Sequence, residues 1–212
     1  EGQGVVLPHF LHFKNMFKQV SSFYEIHVVT SESYPLFGQF VKKNVSTILN
    51  QLPIETHFHK WSLNSNSTLF SQLDCGVIPL NKDDIYGWHK PANKLISFWF
   101  SGLPTLASNT PAYTDIANNT DNNLLCSTEE EWIAKIHQMR EMRAEEREYL
   151  ARKNFNFAHA LYSNEVHDML WINLFENLNA IQSKKAEVLR PNFSIGSVFG
   201  KKGNLAGEAS FG

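Results

Sequence analysis

Two lysines that bracket a proline are the residues of this chain best placed to do chemistry. Lys90-Pro91-Ala92-Asn93-Lys94 is followed by an apolar run and then by Gly102-Leu103-Pro104. The pattern predicts a helix over Lys90 to Ser101, with Trp88-His89 in the loop before it. Pro91 suits the first helical position, where a missing N–H removes no bond. A helix start offers unpaired N–H groups and the positive end of the dipole; Lys90 adds a full charge, and together they make an anion site. Gly102 permits the left-handed turn that ends the helix and feeds the next strand. The bland reading of the same residues is a solvated helix start carrying two surface lysines.

Other reactive residue types carry less. His57-x-His59 would lie on one face of a strand, which suits zinc, but no carboxylate or thiolate close in sequence completes the set. With His9, His12 and His89, these histidines therefore read as solvated or packing residues. Asp83-Asp84, between Lys82 and Ile85, reads as a solvent loop. Tyr86 and Trp88 fall in a loop at a strand's carboxyl end, where a ligand could meet them, whereas Trp99 and Phe100 belong to the core. Cys75 and Cys126 stand far apart in apolar runs and read as buried free thiols. The sequence has no G-x-G-x-x-G after Val5-Val6-Leu7, no P-loop and no G-x-S-x-G elbow.

The elements that must hold these residues alternate along the chain. Apolar runs at Val5–Leu7, Glu25–Thr30, Glu55–Trp61, Cys75–Leu80, Leu103–Ala107 and Asn123–Cys126 read as six strands. Helical periodicity fits Leu11–Val20, Leu36–Leu49, Thr68–Leu73, Lys90–Ser101 and a short turn after Pro111. Such alternation argues for βαβ units and a parallel sheet, with any ligand at the strands' carboxyl ends. After Cys126 the pattern becomes helical: Ser127 or Thr128 caps Glu129-Glu130-Glu131, and further helices start near Ala144 and Asn164. Residues 1–182 read as one domain, and 183–212, rich in glycine, as a linker or the truncated start of a further segment.

Composition bounds the partners. The 212 residues are 42% hydrophobic and 19% charged, enough for a real core. Nineteen Lys+Arg against 21 Asp+Glu leave a net charge of −2, with no basic surplus for a phosphate backbone, so no nucleic-acid partner is expected. A spanning helix needs roughly 20 apolar residues. The longest greasy stretch, Leu95 to Ala107, is broken by Ser101, Gly102 and Pro104. With no leader signal at Glu1, a soluble cytoplasmic protein is expected, with membrane contact peripheral at most.

The run Leu73–Ile116 resembles the donor-binding half of the GT-B glycosyltransferases, in particular the bacterial group 1 (family 4-like) enzymes that build surface polysaccharides. The matching pieces are Leu73-Asp74-Cys75-Gly76-Val77-Ile78-Pro79-Leu80, Lys90-Pro91-Ala92-Asn93-Lys94, Ser101-Gly102-Leu103-Pro104 and Ser108-Asn109-Thr110-Pro111-Ala112-Tyr113. The closing helices, with Trp132 and Phe157–Trp171, are similar to that family's C-terminal helices. The resemblance implies an α/β fold: a Rossmann-like parallel sheet of six strands in the order 3-2-1-4-5-6, flanked by helices, with a helical C-terminal extension. It implies a nucleotide-sugar donor (UDP- or GDP-sugar) held by His89, Lys90, Asn93, Lys94, Trp61, Tyr86, Pro111, Ala112 and Tyr113. The base would rest on the backbone of His59, Lys60 and Trp61. The chain departs from relatives that carry an E-x7-E pair: those positions are His89 and Ser97 here.

The function so implied is metal-independent, cofactor-free hexosyl transfer to a glycan or lipid-linked acceptor in polysaccharide biosynthesis, with an acceptor domain or partner subunit outside this chain. The alternative is a non-catalytic module of the same fold that binds a partner subunit or glycan. A third option, a related sugar-nucleotide epimerase, needs acidic and histidine groups that the sequence does not place.

Overall fold

The structure, a computed structural model, describes residues 7–36, 41–62, 66–120 and 124–188. A 3-10 helix, Leu7–Phe13, leads into α1 (Lys14–Val20) and strand β1 (Glu25–Thr30). A short hairpin, β2 (Ser33–Leu36) and β3 (Val41–Asn44), runs into α2 (Ser46–Leu49) and β4 (Glu55–Lys60). Then come α3 (Asn66–Phe70), β5 (Gly76–Ile78), α4 (Ile85–Trp88), α5 (Asn93–Phe100), β6 (Thr105–Ser108), α6 (Pro111–Ala117) and β7 (Leu125–Cys126). Three helices close the chain: α7 (Glu129–Glu141), α8 (Ala144–Tyr162) and α9 (Asn164–Val188).

The expected six-stranded sheet does not form. Among the described residues, β1 pairs in parallel with β4 alone, and β5-β6-β7 make a separate parallel sheet. The α/β character and the parallel pairing stand; the continuous Rossmann-like sheet does not. The reason begins at the first expected strand. Leu7 opens the 3-10 helix, and Pro8, which lacks an N–H and has its φ already near the helical value, suits that turn better than a sheet ladder. Val5 and Val6 lie outside the described residues. With no described strand between them, the second edges of β1 and β5 both line one cleft.

The expected helix over Leu36–Leu49 is also replaced. Among the described residues of that run, Ser46–Leu49 is helical, and β2 and β3 pair before it. Asn44 sets the break: its side-chain oxygen accepts from the Ser46 N–H and hydroxyl, each at 3.0 Å, a local turn that competes with helix.

Packing follows strand parity. On β6, Leu106 faces a core of Met16, Phe17, Val20, Ile26, Val28 and Trp132, while its neighbour Ala107 faces a second core with Ile78, Leu95, Trp99 and Tyr113. All four β6 residues are buried, as a parallel strand covered on both faces requires. Trp99 is 1% exposed and meets Phe157 of α8 edge-on at 5.8 Å, so the core reading of that tryptophan holds. Gly76 lets β5 approach its neighbours: a Cβ there would lie 2.8 Å from Phe98 Cδ2 and 2.9 Å from Thr105 Oγ1.

Helix ends obey their caps. Thr128 accepts from the Glu131 N–H at 3.3 Å and opens α7, with three glutamates in its first turn. Gly102 (φ 69°) ends α5, where the Leu103 N–H returns to the Phe98 carbonyl at 3.0 Å. The chain divides into two compact units, Glu1–Ser163 and Asn164–Gly212. Of the second, α9 is described; it exposes Met169, Trp171, Ile172 and Phe175, the two aromatic rings stacking at 6.0 Å. No described helix is long and apolar enough to cross a membrane. The expected glycine-rich segment lies outside the described residues from 189 onward.

Candidate functional site

The cleft between β1 and β5 has a volume of about 1200 Å³ and lies within the first unit. Both strands line it along their whole length, from Glu25 to Thr30 and from Gly76 to Ile78. Its charges are sorted. Glu25, Glu55 and Asp74 stand at or before the amino ends of β1, β4 and β5, whereas Lys90 and Lys94 follow the carboxyl end of β5. Two arginines also line it: Arg140 lies over the ring of Phe23, itself a lining residue, at 4.2 Å, and Arg147 donates to the Met142 carbonyl at 2.5 Å.

The helix expected to open at Lys90 starts three residues later. Helix α5 starts at Asn93, with Ala92 as its cap, so Lys90 and Pro91 lie in the turn between α4 and α5. A residue before proline is pushed out of helical conformation, which is why Lys90 cannot be the first helical residue. Lys94 alone sits in the first turn, half-buried, while Lys90 is exposed.

A histidine from the 3-10 helix holds the loop before α4 in place. His9 is buried; its Nδ1 accepts the Asn81 N–H at 3.0 Å, and its Nε2 lies 2.8 Å from Asp84 Oδ2. Accepting at Nδ1 requires the neutral ring protonated on Nε2, which then donates to Asp84. Burial pushes the His9 pKa down and outweighs the pull of Asp84, consistent with that tautomer. Asp84 caps α4, accepting the Tyr86 N–H at 3.2 Å. Partial burial pushes its carboxyl up, but the Gly87 N–H, His9 and the Tyr86 N–H together hold it below its ordinary value. Gly87 lies against this pair: a Cβ would fall 2.6 Å from Asp84 Oδ2 and 3.0 Å from His9 Cε1. Both nitrogens of His9 are committed, so it positions that loop and has no lone pair left for a proton in transit.

Of the residues expected to hold a donor, Lys90 and Lys94 line the cleft; the others do not. Tyr86 is 87% exposed on α4, and His89 is the exposed cap at that helix's end. Trp61 extends the β1–β4 ladder, its N–H donating to the Thr30 carbonyl at 3.0 Å. Asn93 opens α5, exposed. Pro111 starts α6 behind its cap Thr110, with Ala112 half-buried beside it. Tyr113 is 2% exposed in the second core, and burial pushes its phenol up to about 12. It is a packing residue.

Sequence reasoning missed two groupings. One is His9 with Asp84, where the only local signal was an aspartate in a capping position before Ile85. The other lies on the β1–β4 pair. Its parallel register sets Glu25 opposite Glu55 and His27 opposite His57, so Glu25 of the neighbouring strand joins Glu55, two residues before His57, beside that ring. No family model, no curated protein and no solved structure matches the chain.

Proposed function

We propose that this chain binds a nucleoside-diphosphate sugar in the β1–β5 cleft and supports transfer of the sugar to a glycan or lipid-linked acceptor. The observation that carries the reading is that Lys90 and Lys94 line one cleft together with Thr30 and Pro79, at the carboxyl ends of two parallel-paired strands. Ligands of α/β sheets bind outside those ends. Breaking an anomeric bond leaves a nucleoside diphosphate with added negative charge while the sugar becomes oxocarbenium-like. Two lysines lining the cleft would stabilise that leaving group electrostatically as the charge develops.

Titration calorimetry with UDP- and GDP-sugars tests it on the chain and on its Lys90→Ala and Lys94→Ala variants. A charge-assisted contact contributes about 1.5–3 kcal/mol, so each variant is expected to bind about tenfold or more weakly. Binding that is absent, or equal in all three proteins, removes the site from these lysines.

A further inference from the structure

We propose that Glu25, His27 and His57 form a binding site for a divalent transition-metal ion of the zinc class. In the parallel β1–β4 pair, residues of one parity share a face, so Glu25, His27, Glu55, His57 and His59 project together. One ligand atom from each of Glu25, His27 and His57 lies within 4.8 Å of the others. His27 Nε2 is 3.0 Å from Glu25 Oε1, and His57 Nε2 is 3.1 Å from Glu25 Oε2. Two ligands on one tetrahedral zinc, each about 2.1 Å from it, stand about 3.4 Å apart. The carboxylate–imidazole separations are thus already close to those of a coordination shell, and only the two imidazoles must draw together.

The surroundings match what such a site needs. His27 Nδ1 lies 2.8 Å from His59 Nε2, the kind of partner that fixes the ring orientation of a ligating histidine. Glu55 Oε1 is 3.4 Å from His57 Nε2, close enough to serve as a fourth ligand or to hold a bound water. The His27 ring is near-parallel to that of His59, with centroids 5.0 Å apart, and tilted by 32° to that of His57, 4.8 Å away. The face is open: the side chains of Glu25 and His57 are 55% and 38% exposed, so an ion enters without unfolding. Two imidazoles and a carboxylate favour zinc, nickel or copper over magnesium or calcium, which prefer all-oxygen shells. The site shares Glu25 and His27 with the cleft lining but uses neither lysine.

Equilibrium dialysis of the full 212-residue chain against zinc chloride, followed by metal counting, provides the test. One ion per chain is expected, with binding weakened at least about tenfold in His57→Ala and in Glu25→Gln, and about 10–100-fold in His59→Gln, which removes only the orienting partner. His159→Ala, on α8, should bind as the unaltered chain does. Cobalt(II) supplies an arm free of substitutions: on the unaltered chain it should give visible bands of imidazole–carboxylate ligation and broaden the NMR signals of His27 and His57 first. No ion retained, equal retention in the His57 and Glu25 variants, or cobalt broadening centred on other histidines would each overturn the site.

Discussion

His9 and Asp84 lie 75 positions apart in sequence and 2.8 Å apart in space, and their contact ties the 3-10 helix Leu7–Phe13 to the loop that precedes α4. The neutral imidazole links a backbone N–H to a capping carboxylate, so one side chain braces both ends of the loop from Asn81 to Asp84.

That pair makes stability fall with acid. The His9 pKa is lowered from its ordinary 6.5, so below that pH the unfolded chain takes up a proton that the fold refuses. Its contribution is complete above 6.5 and is lost as the pH falls through the folded value. Asp84 is lowered from 3.8, so its contribution is present above 3.8 and is lost at still lower pH. Thermal melts between about pH 7.5 and about pH 5 should show a Tm decline that is shallower in His9→Gln, which has no ring to protonate. Equal declines would contradict the neutral, buried imidazole.

Gly87→Ala should destabilise by about 1–3 kcal/mol, the usual cost of forcing a methyl group into filled space. The atoms it meets are Asp84 Oδ2 and His9 Cε1, so the variant should also lose the pH response of the pair. Urea denaturation at two pH values reads both effects.

Gly102→Ala should cost about 1–2 kcal/mol for a different reason, because its Cβ would meet nothing within 4 Å and only the left-handed backbone resists. Gly102→Asn should recover part of that loss, since asparagine tolerates the conformation. An alanine variant as stable as the original would show that the turn relaxes.

Cys126 is buried and its thiol is pushed up to about 12, mainly by that burial; Cys75 is shifted equally far for the same reason. Neither should be thiolate at pH 8, so labelling by a disulfide reagent should be slow in the folded chain and immediate in denaturant. Fast labelling of Cys126 in the folded chain would mean that the sheet opens readily around β7.

Much of the scaffold was legible because its signals are local. Glu25–Thr30 and Glu55–Lys60 announce strands through their own residues, Thr128 announces a cap, and Gly102 a left-handed stop. The ladder pattern was not legible, because pairing joins segments distant in sequence and each strand reads the same whether its second edge is covered or open. The β2–β3 hairpin was hidden by a run whose apolar spacing also suits a helix. The shift of α5 to Asn93 was readable from Pro91, whose effect on Lys90 outweighs its preference for a helix start. Glu25-x-His27 and Glu55-x-His57 are each visible in sequence, but their meeting depends on the register between strands about thirty residues apart.

The reading of the cleft stands or falls on where a nucleotide touches the chain. The most direct measurement follows backbone amide NMR shifts as UDP is added to the unaltered protein. Shifts are predicted at Thr30, Ile78, Lys90 and Lys94 together, four positions brought around one cleft from three separate stretches of sequence. Shifts confined to one of those stretches, or none at millimolar nucleotide, would contradict a donor site between β1 and β5.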